Sequence, residues 1–306
     1  MLIRCFIFCL CWLTLASARA EYSVNLILSE SGPAYEEAAN AFRAVLGNRQ
    51  NIKIWPLADI SAVQLQNLSR SSEQLLIPVG VKAANFVAEH HLGQAPVLTL
   101  MIPRSVSEKL QWPGNLPRKK ISAVYIDQPA GRSLALLKAA FPAARRVGLV
   151  ISPENAPVAK SLALEASRRN LQLNVETVTT ADAVSSALRR VLADSDVLLL
   201  VPDGIAINAG NAQNVLLTTY RFRIPVVGFS QGLTKAGAVA SVYSSPAQIG
   251  QQGAQFAQRL FENGEFPPPQ HANENSISFN LHVARSLGLV LPNEADIRLK
   301  LEAQGE

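Results

Sequence analysis

The chain has 306 residues, 48% of them apolar and 17% charged, with a formal net charge of +5. That length supports two domains with cores of their own. The positive excess is mild, and its longest cluster is Arg118-Lys119-Lys120, too little for a nucleic-acid-binding face. All three cysteines (Cys5, Cys9, Cys11) lie at the very start, so the rest of the chain relies on core packing and not on disulfides.

The first twenty residues read as an export signal. Met1-Leu2-Ile3-Arg4 is a short basic start, Cys5 to Leu15 an apolar run, and Ala18-Arg19-Ala20 an A-x-A cleavage site. The run is shorter than the roughly 20 residues a spanning helix needs, and polar Glu21-Tyr22-Ser23 follows at once. No cysteine borders the cleavage site, so no lipidation signal is read. The expectation is a signal peptide over 1–20, a cleaved product and a periplasmic location.

From residue 22 strands and helices alternate. Strands are predicted over 22–28, 51–57, 74–79, 96–102 and 121–127. Helices are predicted over 33–46, 61–69, 81–91 and 105–110, the first with Pro33 at its opening turn. A second series follows, with helices over 133–141, 156–170 and 181–192 and strands over 146–151 and 173–178. Then come two buried-type strands, DVLLLVPD and IPVVGFS, joined by an amphipathic helix, and a further strand, AVASVYSS. Such alternation implies α/β architecture with two doubly wound parallel sheets. Asp127-Gln128-Pro129-Ala130-Gly131 punctuates the two series, and Pro267-Pro268-Pro269 makes a second, stiff break. A short strand over 276–280 and a helix over 281–287 come next. The charged tail from Asn293 is expected to pack loosely.

In parallel sheets ligands gather at the carboxyl ends of the strands. Those ends nominate Asp203, Phe229, Ser230 and Tyr243, and Ser152 to Asn155 after residues 146–151. Two readings stand for Asn155 and for Asp203: a helix cap, since short polar side chains satisfy free N–H groups, and a ligand contact. In the first series the equivalent ends are Ser29, Gly80 and Arg104. Arg104 is either a surface arginine or a partner for a carboxylate or phosphate.

Gly228-Phe229-Ser230-Gln231-Gly232 matches the G-x-S-x-G nucleophile elbow. Only about one helical turn separates it from Gly237, no HGG run precedes it, and the acids and histidines downstream (Glu265, Glu274, His271, His282) look like loop and surface residues. His90 and His91 are neighbours on a helix and cannot easily share one ion. No catalytic residue, metal or cofactor is therefore expected.

The segments DVLLLVPD, RFRIPVVGFSQGLTKAGAVASVYSSPAQIGQQGA and NSISFNLHVARSLGLVLP, within residues 140–292, resemble periplasmic substrate-binding proteins of ABC transporters, in a branch related to tryptophan-binding lipoproteins. The resemblance implies the type I periplasmic-binding architecture, two lobes joined by hinge strands that the chain crosses three times. Lobe one would hold 21–127 plus about 242–268, and lobe two 128–241 plus about 269–306. It also implies capture of a small molecule between the lobes and docking on a membrane permease, with a monomer as the expected state. It favours Asn155 and Asp203 as ligand contacts. Relatives commonly carry an Asp-Pro turn after the fourth strand and a Thr-Gly turn near the hinge; this chain has Ile102-Pro103-Arg104 and Tyr125-Ile126-Asp127 there. A tryptophan-type ligand is thus not expected to be held by the same contacts. The alternatives are a periplasmic sensor or protein-binding module, and a serine hydrolase using Ser230.

Overall fold

The computed structural model describes residues 22–303, apart from 48, 49 and 209. The signal-type segment 1–20 lies outside the described residues. The chain opens with β1 (Ser23–Leu28), α1 (Pro33–Leu46), β2 (Asn51–Pro56), α2 (Ala62–Ser69), β3 (Gln74–Val79), α3 (Val81–His90), β4 (Val97–Ile102), α4 (Arg104–Ser107) and β5 (Ile121–Tyr125). It continues with α5 (Ala130–Ala140), β6 (Arg146–Ile151), α6 (Ala156–Arg168), β7 (Gln172–Thr177), α7 (Val184–Ala193), β8 (Val197–Leu199), α8 (Ala212–Arg221), β9 (Val226–Gly228), α9 (Gln231–Ala236) and β10 (Ala240–Tyr243). Last come α10 (Pro246–Asn263), β11 (Gln270–His271), β12 (Ser276–Phe279), α11 (Leu281–Ser286) and α12 (Glu294–Ala303).

Among the described residues these strands form two six-stranded sheets, ordered β2-β1-β3-β4-β5-β11 and β7-β6-β8-β9-β10-β12. The same order is thus written twice. Pairing is parallel throughout except where β12 runs antiparallel to β10. Central strands read as apolar runs because helices cover both faces: Val-Leu-Thr-Leu-Met-Ile of β4 is buried along its whole length. The edge strands β2 and β7 carry the polar alternation of a half-exposed strand. Each sheet has an apolar core on either face. The chain leaves the first sheet after β5, returns from β10 into α10, and crosses again between β11 and β12.

Helix α10 is the longest of the elements that sequence periodicity did not yield, with β11 and α12 the others. Ser245 and Gln248 form a capping box at its start, Pro246 stands in the first turn, and Gly264 ends it in a left-handed conformation. It buries Ile249, Ala254, Phe256, Ala257 and Leu260 in the first core, beside Phe42 and Leu100. A Cβ on Gly250 would lie 2.1 Å from the Ala38 carbonyl oxygen of α1. Only glycine lets the two helix backbones approach so closely.

Two further expectations change. Helix α5 begins at Ala130, three residues earlier than Ser133, because Pro129 is tolerated at a helix start where no N–H partner is needed. The tail from Asn293 is not loose. Helix α12 buries Ile297 and Leu301 in the second core, while Glu294, Asp296, Arg298 and Lys300 are exposed.

Candidate functional site

Strand ends from both sheets converge on a chamber of about 340 Å³. From the first half, Arg104, Ser105, Glu108 and Lys109 reach it from α4 and the residues just after. From the second, Ala130 and Ser133 of α5 and Pro157, Val158 and Leu162 of α6 form a largely apolar wall, with Glu154 at its edge. Asp127, Gln128 and His271, from two of the segments that cross between the halves, close the back. A small annex of about 20 Å³ extends the chamber past Pro103, Asn155, Pro202 and Phe229.

The charged groups of the chamber are paired with one another. Arg104 Nε lies 2.6 Å from Glu108 Oε1, and Lys109 Nζ lies 3.3 Å from Glu154 Oε2. The second pair joins the first half to the second across the cleft. The Glu108 carboxylate hydrogen-bonds the Arg104 guanidinium and holds it above its ordinary value, against a smaller opposing effect of burial. Asp127 accepts the Arg104 backbone N–H at 2.7 Å on Oδ1, and its Oδ2 lies 3.1 Å from His271 Nε2. The His271 ring meets Tyr125 edge-on at 5.3 Å.

Side chains lace the crossing segments together. Buried Arg132 donates to Gln128 Oε1 at 2.6 Å and to the Ala272 carbonyl at 3.1 Å. Gln128 Nε2 donates to Ser244 Oγ at 3.0 Å, and that hydroxyl donates to the Glu274 carbonyl at 2.6 Å. All three crossings therefore share one hydrogen-bond network.

The model of the ABC transporter substrate binding protein family matches residues 57–298. The chain belongs to that family. No match was found among the curated proteins. Among solved structures, the ABC domain of Streptococcus pneumoniae in complex with L-Trp is similar at 15% identity and a TM-score of 0.66, covering 91% of this chain and 98% of the other. The ligand-free, open structure of a substrate binding protein with adhesive properties from Clostridium difficile gives 18% identity and a TM-score of 0.70, covering 90% and 97%. A conserved domain protein from Vibrio cholerae gives 21% identity and 0.66, covering 91% and 98%. These likenesses establish the type I periplasmic binding protein fold expected from the sequence.

Within this substrate-binding protein the eight nominated residues divide. Arg104 lines the chamber, and Asn155 and Phe229 line the annex. Asp203 sits one turn behind. Its Oδ2 accepts from Ser152 N at 2.7 Å, Ser152 Oγ at 2.9 Å and Asn155 Nδ2 at 2.7 Å; Oδ1 accepts from Ile205 N at 2.9 Å and Ala206 N at 2.8 Å. Burial pushes this carboxyl up, but the hydrogen bonds from Ser152, Ala206, Asn155 and Ile205 outweigh burial and hold it below the ordinary carboxylate range. Its acceptor capacity is already filled by the chain.

Ser29 and Gly80 stand at the switch point of the first sheet, between β1 and β3. Ser29 Oγ accepts the Ala83 N–H at 2.9 Å and so caps α3 from a distance. Gly80 has φ +90°, and a Cβ there would lie 2.6 Å from Tyr35 Cε1 and 2.7 Å from Ser29 Oγ. Neither residue lines the chamber. Tyr243 closes β10 opposite Ser276. Ser230 Oγ accepts the Leu233 N–H at 3.1 Å and caps the six-residue α9. It hydrogen-bonds no histidine or carboxylate among the described residues.

Strand-end reasoning missed Ser105, Glu108, Lys109, Asp127, Gln128, Ser133 and His271 as lining residues; Glu154 lies within the nominated turn after β6. For Asp127 and Gln128 a signal existed, since they open the punctuated boundary. For His271 none did; it reaches Asp127 from 144 positions away along the chain.

Proposed function

We propose that this protein is the periplasmic solute-binding component of an ABC-type import system. It captures a small molecule between its two lobes, makes and breaks no bond, and presents the closed form to a membrane permease. The observation that carries this reading is the origin of the chamber walls: both lobes and the crossing segments contribute. A ligand that touches both lobes favours the closed arrangement by the contacts it gains there. The pneumococcal relative in complex with L-Trp and the open, ligand-free clostridial relative support capture of a small molecule. In this reading Arg104, Asn155 and Phe229 contact the ligand. Asp203, Ser29, Gly80, Ser230 and Tyr243 shape the strand-end turns behind it. The lobes are residues 22–127 with α10 and β11, and residues 128–243 with β12 to α12.

The test is a thermal-denaturation screen against a broad panel of small metabolites. A compound that binds only the native state stabilises it by about 2.7 kcal/mol at one hundred times its Kd. Val158 lines both chamber and annex, and Val158→Trp fills them. A rise in midpoint that Val158→Trp abolishes is expected. No rise with any compound, or a rise that the filled variant keeps, contradicts the proposal.

A further inference from the structure

The chamber separates its polar groups into two sets. Every charged side chain on its wall already has a partner: Arg104 with Glu108, Lys109 with Glu154, and Asp127 with His271 and the Arg104 backbone. Gln128 is committed at both ends of its amide, and Ser161 Oγ donates to the Pro157 carbonyl. The groups that remain are neutral. The hydroxyls of Ser105 and Ser133 line both chamber and annex and make no hydrogen bond among the described residues. Asn155 uses its amide nitrogen on Pro202 and Asp203, while its amide oxygen, at the annex, accepts no hydrogen bond among the described residues. Ser105 belongs to the first lobe, and Ser133 and Asn155 belong to the second, so these groups face one volume from both sides.

The rest of the wall is aliphatic: Ala130, Pro157, Val158, Leu162 and Val201. No Phe, Tyr or Trp lines the main chamber; its one ring is the His271 imidazole, held by Asp127 and Tyr125, and Phe229 lines only the annex. A broad stacking platform of the Phe, Tyr or Trp kind is therefore missing from the larger volume.

Resting on the capture reading above, we infer that the ligand is an uncharged molecule with an aliphatic body and hydroxyl or amide groups. Each cation on the wall is already neutralised by a carboxylate, so a charged ligand enclosed here must compete for its counter-charge or remain unbalanced in a partly desolvated space, where such a charge is costly. An uncharged ligand meets the free hydroxyls and the amide oxygen without disturbing any pair. Its aliphatic part lies on the α5–α6 wall. An uncharged group that leaves those hydroxyls unpaired is in turn disfavoured, which gives selectivity over a plain alkane.

The experiment uses five probes of similar size on the purified full chain: 4-methylpentanamide, 1,2-hexanediol, 4-methylpentanoate, isopentylamine and leucine. Thermal midpoints are measured over a concentration series. The amide and the diol are expected to raise the midpoint at concentrations at least tenfold lower than the carboxylate, the amine or the zwitterion. Ser105→Ala and Ser133→Ala are each expected to weaken the amide about tenfold, one hydrogen bond's worth of affinity. A rise led by the carboxylate, the amine or leucine overturns the inference and leaves solute capture standing. If none of the five acts, native mass spectrometry of the purified protein decides: a retained uncharged molecule supports the inference, and a retained charged one overturns it. No retained molecule and no rise with any probe overturns both.

Discussion

Two aspartates at strand ends, Asp203 and Asp127, show how one residue type serves two purposes in this fold. Asp203 is buried, accepts five hydrogen bonds within its own lobe, and fixes the turn that carries Asn155. Asp127 lies between the lobes, accepts one backbone N–H from the first lobe and faces His271. The first is a saturated acceptor that holds shape. The second stands where the chain leaves the first sheet, lines the chamber, and has partners on α4 and β11 of that same half. Filled hydrogen-bond capacity, more than position at a strand end, separates a supporting group from one that lines the chamber.

The widest separation is expected in stability. Asp203→Ala strands several buried donors at once and should cost roughly 3 to 4 kcal/mol in urea denaturation; a loss under about 1 kcal/mol would erase the comparison. The comparison also has a pH signature. Because the Asp203 carboxyl is held low, its ionised form contributes stability above the ordinary carboxylate range, and that contribution is lost as pH falls through the folded value. The stability gap between wild type and Asp203→Asn should therefore be full at pH 7 and shrink below about pH 4. A gap that holds constant down to pH 3 would mean that the native hydrogen bonds do not favour the ionised form.

Asp127→Ala removes two partners in a partly solvated place and should cost about 1 kcal/mol. Its larger effect should be on the response to ligand, read as a smaller midpoint rise with any compound that stabilises wild type. The smallest stability effect belongs to Lys109→Ala. Both members of its pair are more than half exposed, and such pairs contribute about 0 to 1 kcal/mol. Because this pair joins the lobes, its removal should still favour the open form, seen as a larger radius of gyration without ligand.

Much of the architecture was legible from periodicity, because the alternation of apolar strands and amphipathic helices is strong from β1 to β10. Helix α10 was not. Its Gln-rich sequence with Gly250 and Gly253 reads as a loop, and its helical stripe of Ile249, Phe256 and Leu260 makes sense only against α1. The tail misled for a similar reason: Ile297 and Leu301 are two apolar residues among charges, and their burial depends on α5. At the cleft, local pattern located the turns bearing Arg104, Asn155 and Phe229. It could not tell that Asp203 is saturated from within, since Ser152 and Asn155 reach it from about fifty positions away. It could not foresee the lobe-to-lobe pair of Lys109 and Glu154, or His271 against Asp127. The first follows from how the two lobes dock and the second from the pairing of β11 beside β5, and no local window of sequence encodes either.

Capture by closure is tested most directly by small-angle X-ray scattering, with and without a saturating compound from the thermal screen. A smaller radius of gyration is expected with the compound bound, and no change for Val158→Trp under the same conditions. A bound compound that leaves the wild-type radius unchanged would contradict capture by closure.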